Sequence, residues 1–207
     1  MVTRRRIIEN KKTSSPVVPA GYAPLNYIES GGTTASITRL NTTNGKTYNN
    51  SGFEIKFEPL DTFGTTSHVI FGARRANNSS NFELDTLTPA DATGNGEIRT
   101  EGHTIPAYLS TGINECSLHG TEYTVNGNTY TVTRGTNSWN YAIDIFGCRE
   151  VSTNKLPSHC KIYSFKFYRG TTLKIDLQPC RRLSDDAVGF YDWVDETFYT
   201  NSNWTGG

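Results

Sequence analysis

The stretch Lys161-Ile-Tyr-Ser-Phe-Lys-Phe-Tyr-Arg-Gly170, continued by Thr171-Thr-Leu-Lys-Ile-Asp-Leu177 and closing through Val188-Gly-Phe-Tyr-Asp-Trp-Val194 to Thr197-Phe-Tyr-Thr-Asn201, decides the fold. Apolar and polar side chains alternate through it with period 2, the pattern of strands that bury one face. With Arg169, Gly170 and Thr171 as the loop of a first hairpin, Phe167 pairs with Leu173, Phe165 with Ile175 and Tyr163 with Leu177. Lys166 then faces Lys174, and Ser164 faces Asp176. A slip of one residue would set Phe165 opposite Lys174 and carry every apolar group to the wrong face, which disfavours a two-residue loop. The second hairpin runs from Val188 to Val194, turns at Asp195-Glu196, and pairs Trp193 with Phe198.

The same alternation recurs upstream. Phe53-Glu-Ile-Lys-Phe-Glu58 places Phe53, Ile55 and Phe57 inward and Glu54, Lys56 and Glu58 outward, as in a half-buried strand. Val69-Ile-Phe-Gly-Ala73 and Tyr141-Ala-Ile-Asp-Ile-Phe-Gly-Cys148 are more continuously apolar and read as interior strands; their Ile-Phe-Gly cores echo one another without a surrounding repeat. Asn126-Gly127 marks a type I′ turn, since that turn needs positive φ at both central residues, and it pairs Tyr123 with Tyr130. Val132 continues that face, and Thr124, Thr129, Thr131 and Thr133 line the other. With 19 glycines, 11 tyrosines, 10 phenylalanines and no amphipathic helical repeat, the chain is all-β.

At 207 residues there is enough chain for one sandwich with a sizeable core. Basic and acidic side chains balance at 20 each, so no overall field draws the protein to nucleic acid or an anionic membrane, and no apolar run is long enough to cross a bilayer. Residues 1–20 form an extended basic arm ending in Ser14-Ser-Pro-Val-Val-Pro19, and the sandwich domain occupies 21–207. Arg4, Arg5, Arg6, Lys11 and Lys12 suit docking onto a partner protein better than onto nucleic acid, a solvated tail being the plain alternative. The start of the chain lacks a signal-peptide core. Cys116, Cys148, Cys160 and Cys180 have no CxxC spacing and read as buried free thiols, with a Cys148–Cys160 bridge left open.

Pro19-Ala-Gly-Tyr-Ala-Pro-Leu-Asn-Tyr-Ile-Glu-Ser30 with its Gly31-Gly-Thr-Thr34 turn, Ile70-Phe-Gly-Ala-Arg74, Lys161 to Tyr168, Pro179-Cys-Arg-Arg182, Val188 to Asp192 and Phe198 to Asn201 together resemble a known family. It is the single-domain concanavalin A-like (laminin G-like) jelly-roll proteins of bacteriophages, prophages and gut bacteria. The likeness spans roughly residues 19 to 201 and is specific at the ends, not between about 76 and 140. Two departures stand out: Asp195-Glu196 where the family turns on Asn-Gly, and Trp193 where it has Thr. The resemblance implies a two-sheet antiparallel jelly-roll sandwich, and it transfers fold more securely than activity.

Candidate chemistry is sparse. Glu83-Leu-Asp85 puts two carboxylates on one strand face, as a glycoside hydrolase requires, but Thr86, Leu87 and Thr88 follow where similar enzymes carry a third acid. The expectation there is two solvated acids and no catalysis. Asp144 sits in an apolar strand and is expected on its solvent side; burial would demand a partner or a metal. His68, His103, His119 and His159 lack ligand spacing, so neither a metal nor a cofactor is called for.

A sugar site is the better candidate: Trp139-Asn140-Tyr141 after a polar loop, with Arg74 and Arg75 at a strand end, offers an aromatic platform and groups for hydroxyls. The expected role is a non-enzymatic component of a phage virion: a capsid decoration, head fibre or tail adhesin. It would join other virion proteins through its arm, form a homo-oligomer, and hold glycans at the particle surface. A carbohydrate-binding module of a gut bacterium is the alternative, and a glycoside hydrolase ranks after it.

Overall fold

From Phe53 to Pro59 residues alternate between buried and half-buried, so the period-2 reading of this strand holds there. The computed structural model describes residues 17–40, 50–73, 82–87, 95–100, 103–135, 142–150 and 153–207. They form β1 (Tyr22–Pro24), β2 (Ile28–Ser30), β3 (Thr38–Arg39), β4 (Ser51–Pro59), β5 (Val69–Ala73), β6 (Phe82–Asp85), β7 (Glu97–Thr100), β8 (His103–Pro106), β9 (Asn114–His119) and β10 (Glu122–Val125). There follow β11 (Asn128–Thr131), β12 (Asp144–Ile145), β13 (Cys148–Glu150), β14 (Thr153–Lys155), β15 (Cys160–Arg169), β16 (Thr172–Arg182), β17 (Val188–Asp192), β18 (Thr197–Thr200) and β19 (Trp204–Gly206). The larger sheet orders β11-β10-β9-β4-β15-β16-β17-β18, with β1 added to β16, β2 beside β15 and β19 beside β2. The smaller sheet orders β3-β12-β5-β6-β7-β8, and β13-β14 form a separate ribbon. All pairings of the named strands are antiparallel, giving the two-sheet jelly-roll sandwich expected from the sequence.

Aromatic rings join the layers. Phe71 of the smaller sheet lies 4.9 Å from Phe53 and 4.8 Å from Phe165 of the larger, and Phe82 sits 5.8 Å from Phe167. All are fully buried, and tilted or edge-on ring contacts of this kind add to the burial of their area. Trp204 closes one end as a packing plug. Its ring meets Phe146 and Phe190 edge-on, and its Nε1–H donates to Ser36 O at 2.8 Å.

Both closing hairpins differ from their expected register, the first by one residue at its turn and by two beyond a bulge, the second by two. In the first, Arg169 pairs with Thr172 around a two-residue Gly170-Thr171 loop, and a bulge then sets Phe167 opposite Ile175 and Phe165 opposite Leu177. Gly170 takes φ +58, the positive value wanted at the first central position of a tight hairpin turn. The bulge absorbs the phase error that a two-residue loop would otherwise impose, so turn geometry and buried face are both satisfied. Lys166 now faces Asp176 in place of Lys174, exchanging a like-charge pair for an opposite one. A further bulge against β4 turns Tyr163 off the apolar face.

In the second hairpin Asp192 pairs with Thr197, leaving Trp193 to Glu196 as a four-residue loop with Trp193 43% exposed. The Asp192 carboxylate fixes that loop by accepting from the amides of Val194 and Asp176. The Asn126-Gly127 turn is as expected, with φ +50 and +82 and Tyr123 opposite Tyr130. The apolar run to Cys148, expected as one strand, is broken at Phe146 (φ +59) and Gly147 (φ +146), where the chain leaves β12 for β13 and drops the Phe146 ring into the core.

The four cysteines are free and buried, so the Cys148–Cys160 bridge is not formed. Burial pushes the Cys116 and Cys160 thiols up to about 12 and Cys180 up to about 11, which keeps all three protonated and unreactive at neutral pH. Trp204→Ala is expected to cost about 3–5 kcal/mol, since it opens a cavity and orphans the Ser36 carbonyl; urea unfolding of the two proteins measures it.

Candidate ligand-binding surfaces

One end of the smaller sheet gathers several segments. Arg39 pairs with Asp144, Asp144 with Gly72, Ala73 with Phe82, Phe82 with Thr100, and Thr100 with His103. Leu40 N donates to Ile143 O at 2.8 Å, and Gly135 N to Thr100 O at 3.3 Å. Leu40, Ala73, Phe82, Thr100, His103, Gly135 and Ile143 are therefore all gathered at this end. Arg74, Arg75, Trp139, Asn140 and Tyr141 lie outside the described residues, as do Arg4, Arg5, Arg6, Lys11 and Lys12. The residues flanking the first group are described: Ala73 ends β5, and Ala142 leads into β12, its neighbour. Strand pairing thus brings β5 and β12, which are far apart in sequence, to one sheet end.

The face of the smaller sheet turned away from the phenylalanines carries buried charge. Glu83 and Asp85 do share a face, as alternation predicts, but neither is solvated: both are fully buried. Asp85 accepts hydrogen bonds from Ser67 Oγ, His68 N and Leu87 N. Arg99 stands opposite Glu83, its Nη1 3.2 Å from Glu83 Oε1, and its Nε donates to Glu97 at 2.5 Å. Burial pulls the Arg99 guanidinium down, but Glu83 and Glu97 outweigh it and hold it above its ordinary range.

Asp144, expected on the solvent side, is 1% exposed on β12 between β3 and β5, and Arg39 Nε donates to it at 3.3 Å. Gly72 lies between Asp144 and Glu83. A Cβ there would meet Glu83 Cβ at 2.8 Å, so only glycine lets these carboxylates pack across β5. Sequence reasoning missed Glu97 and Arg99; the alternation in Glu97-Ile-Arg-Thr100 was the available signal.

On the larger sheet the outward face is an ion-pair ladder. Lys56 meets Glu115 at 2.6 Å, and Glu58 takes Lys161 Nζ at 3.2 Å and the Tyr163 hydroxyl at 3.1 Å. Glu54 takes the Tyr168 hydroxyl at 2.9 Å and meets His119 at 3.2 Å. Burial first, then Glu54, pushes the Tyr168 phenol up to about 12. Two open clefts of about 540 and 620 Å³ meet at Lys56, one bounded by Glu54, Glu115 and Thr124, the other by Tyr27, Tyr163 and Gln178. Because acids and bases are matched across neighbouring strands, the ladder serves the sheet before any ligand. His159 meets Glu29 at 3.2 Å and His68 meets Asp61 at 3.4 Å, in separate pairs. Among the described residues no three His, Cys, Asp or Glu are grouped to hold a metal, and no helix is long and apolar enough to cross a membrane.

No family model matches the sequence. Nor does any curated protein. Among solved structures, the native heptameric SAP-like pentraxin from Limulus polyphemus is similar with a TM-score of 0.46 at 10% identity, over 88% of this chain and 95% of that one.

Arg99→Ala is expected to destabilise the protein by about 3–5 kcal/mol, because it leaves Glu83 and Glu97 buried without their cation. Arg99→Lys should recover part of that loss, as chemical denaturation of both variants would measure.

Proposed function

We propose that the chain is a non-enzymatic display module of a bacteriophage virion, a capsid decoration, head fibre or tail adhesin. Its basic segment from Arg4 to Lys12 joins it to other virion proteins, and its jelly roll holds host or mucosal glycans at the particle surface. The observation that carries the reading is the pairing of β5 with β12, which brings to one sheet end Ala73, the residue before Arg74 and Arg75 in sequence, and Ala142, the residue after Trp139-Asn140-Tyr141. An aromatic platform beside hydroxyl-binding groups is the minimum a sugar site needs, and loops raised on a rigid sheet end are where sandwiches place such sites.

The non-enzymatic part is supported by the state of the acids. Glycoside hydrolysis needs carboxylates that reach the scissile bond, one of them free to donate or take a proton. Asp85 is held by three donors, and Glu83 and Glu97 are committed to Arg99. Balanced charge leaves recognition to this local surface.

Removal of residues 1–18 is expected to leave a folded domain that no longer joins particles; normal incorporation would count against anchoring by the arm. On a glycan array the full chain should give a signal that Trp139→Ala weakens. A signal undiminished by this change places the sugar elsewhere.

A further inference from the structure

The sandwich has a second aromatic feature, on its open long edge and away from the ion-pair ladder. There β8 is the last strand of the smaller sheet and β11 the last of the larger. Tyr108, just past β8, stacks on Tyr130 of β11 with ring centroids 4.6 Å apart and planes within 13°. Tyr130 lies in turn 6.3 Å from buried Tyr123, whose hydroxyl donates to Ala107 O at 2.5 Å. The stack is therefore tied into the core at its inner end, while Tyr108 at its outer end is 37% exposed.

Tyr108 reaches that position through a left-handed backbone, φ +53, uncommon for a bulky residue. The hydrogen bonds Ala107 N to Gly96 O and Leu109 N to Asn95 O clamp it on both sides. A tyrosine held outward against its own backbone preference is costly, and such strain gathers where a side chain must be presented. Beside it opens a cleft of about 230 Å³, lined by His103, Thr104 and Pro106 on one strand and Thr131, Val132 and Thr133 on the other.

The lining selects the ligand. Among the described residues it includes no Lys, Arg, Asp or Glu, so no Lys or Arg cation meets a phosphate or carboxylate there. Exposed threonine hydroxyls can donate and accept, the tyrosine ring supplies an apolar face, and the volume is below the range of drug-sized sites. We infer that this edge cleft binds one neutral pyranose residue of a glycan, its C–H face on Tyr108 and its hydroxyls on Thr104, Thr131 and Thr133. This deepens the glycan-binding reading above and rests on it, but names a site whose described lining does not include Trp139.

The test titrates the full chain with the methyl glycosides of glucose, galactose, mannose and N-acetylglucosamine, followed by amide NMR. At least one sugar should shift Thr104, Tyr108, Thr131 and Thr133 saturably, and Tyr108→Asn should weaken it about tenfold. Asparagine tolerates positive φ, so this variant removes the ring without new backbone strain. Should it lose the native spectrum, the Thr131→Val, Thr133→Val double variant, altered only at exposed positions, replaces it with the same expected loss. No shift at these amides with any of the four sugars overturns the inference, as does undiminished binding in whichever variant is read. Binding lost in Trp139→Ala but kept in Tyr108→Asn overturns this edge site and leaves the loop-end reading standing; the reverse pattern supports it.

Discussion

Phe71 held between Phe53 and Phe165 is the contact on which the rest of the molecule depends. It is where the two sheets meet, and every other feature follows from their facing each other across a layer of rings. Side chains on a strand alternate, so committing Phe71, Phe82 and Leu84 to that layer forces Glu83 and Asp85 to the opposite side. The same geometry commits Phe53, Ile55 and Phe57 inward and sends Glu54, Lys56 and Glu58 to the ladder outside.

The two outward faces are then resolved differently. On the larger sheet the charges lie in water or at its margin, and their pairing contributes modestly. On the smaller sheet Glu83, Asp85 and Asp144 are removed from solvent, where an unmatched carboxylate is costly, and Arg99, Arg39 and the amides of His68 and Leu87 offset that cost. Glu83 and Asp85, which share one strand face, are in this way held by partners within the sheet. The two proposed recognition sites lie apart from this charge: one is proposed at the sheet end marked by Ala73 and Ala142, the other at the edge by Tyr108.

Beyond the bulge of the first hairpin, and throughout the second, the registers differ from the alternation reading by an even number of residues. A period-2 pattern penalises odd slips, which exchange the two faces, and is blind to slips of two, which do not. Phe165, Phe167, Ile175 and Leu177 are accordingly inward as expected, while their partners differ. Only Asn126-Gly127 specified its register locally, because a turn with positive φ at both central residues admits one pairing. Elsewhere the bulge before Tyr168 and the two amides bound by Asp192 made the choice, and both draw on neighbouring strands.

The sequence by itself determined the all-β class, the inward and outward faces of the main strands, the unpaired state of most cysteines and the sharing of one face by Glu83 and Asp85. These are matters of local period and composition, which a chain carries without knowing its neighbours. Tertiary structure decided the registers, the burial of Asp144, the partnership of Arg99 with two acids, and the stacking of Tyr108 on Tyr130. Each depends on which strand lies alongside and what covers it, and that is set by sheet order and by residues distant in the chain.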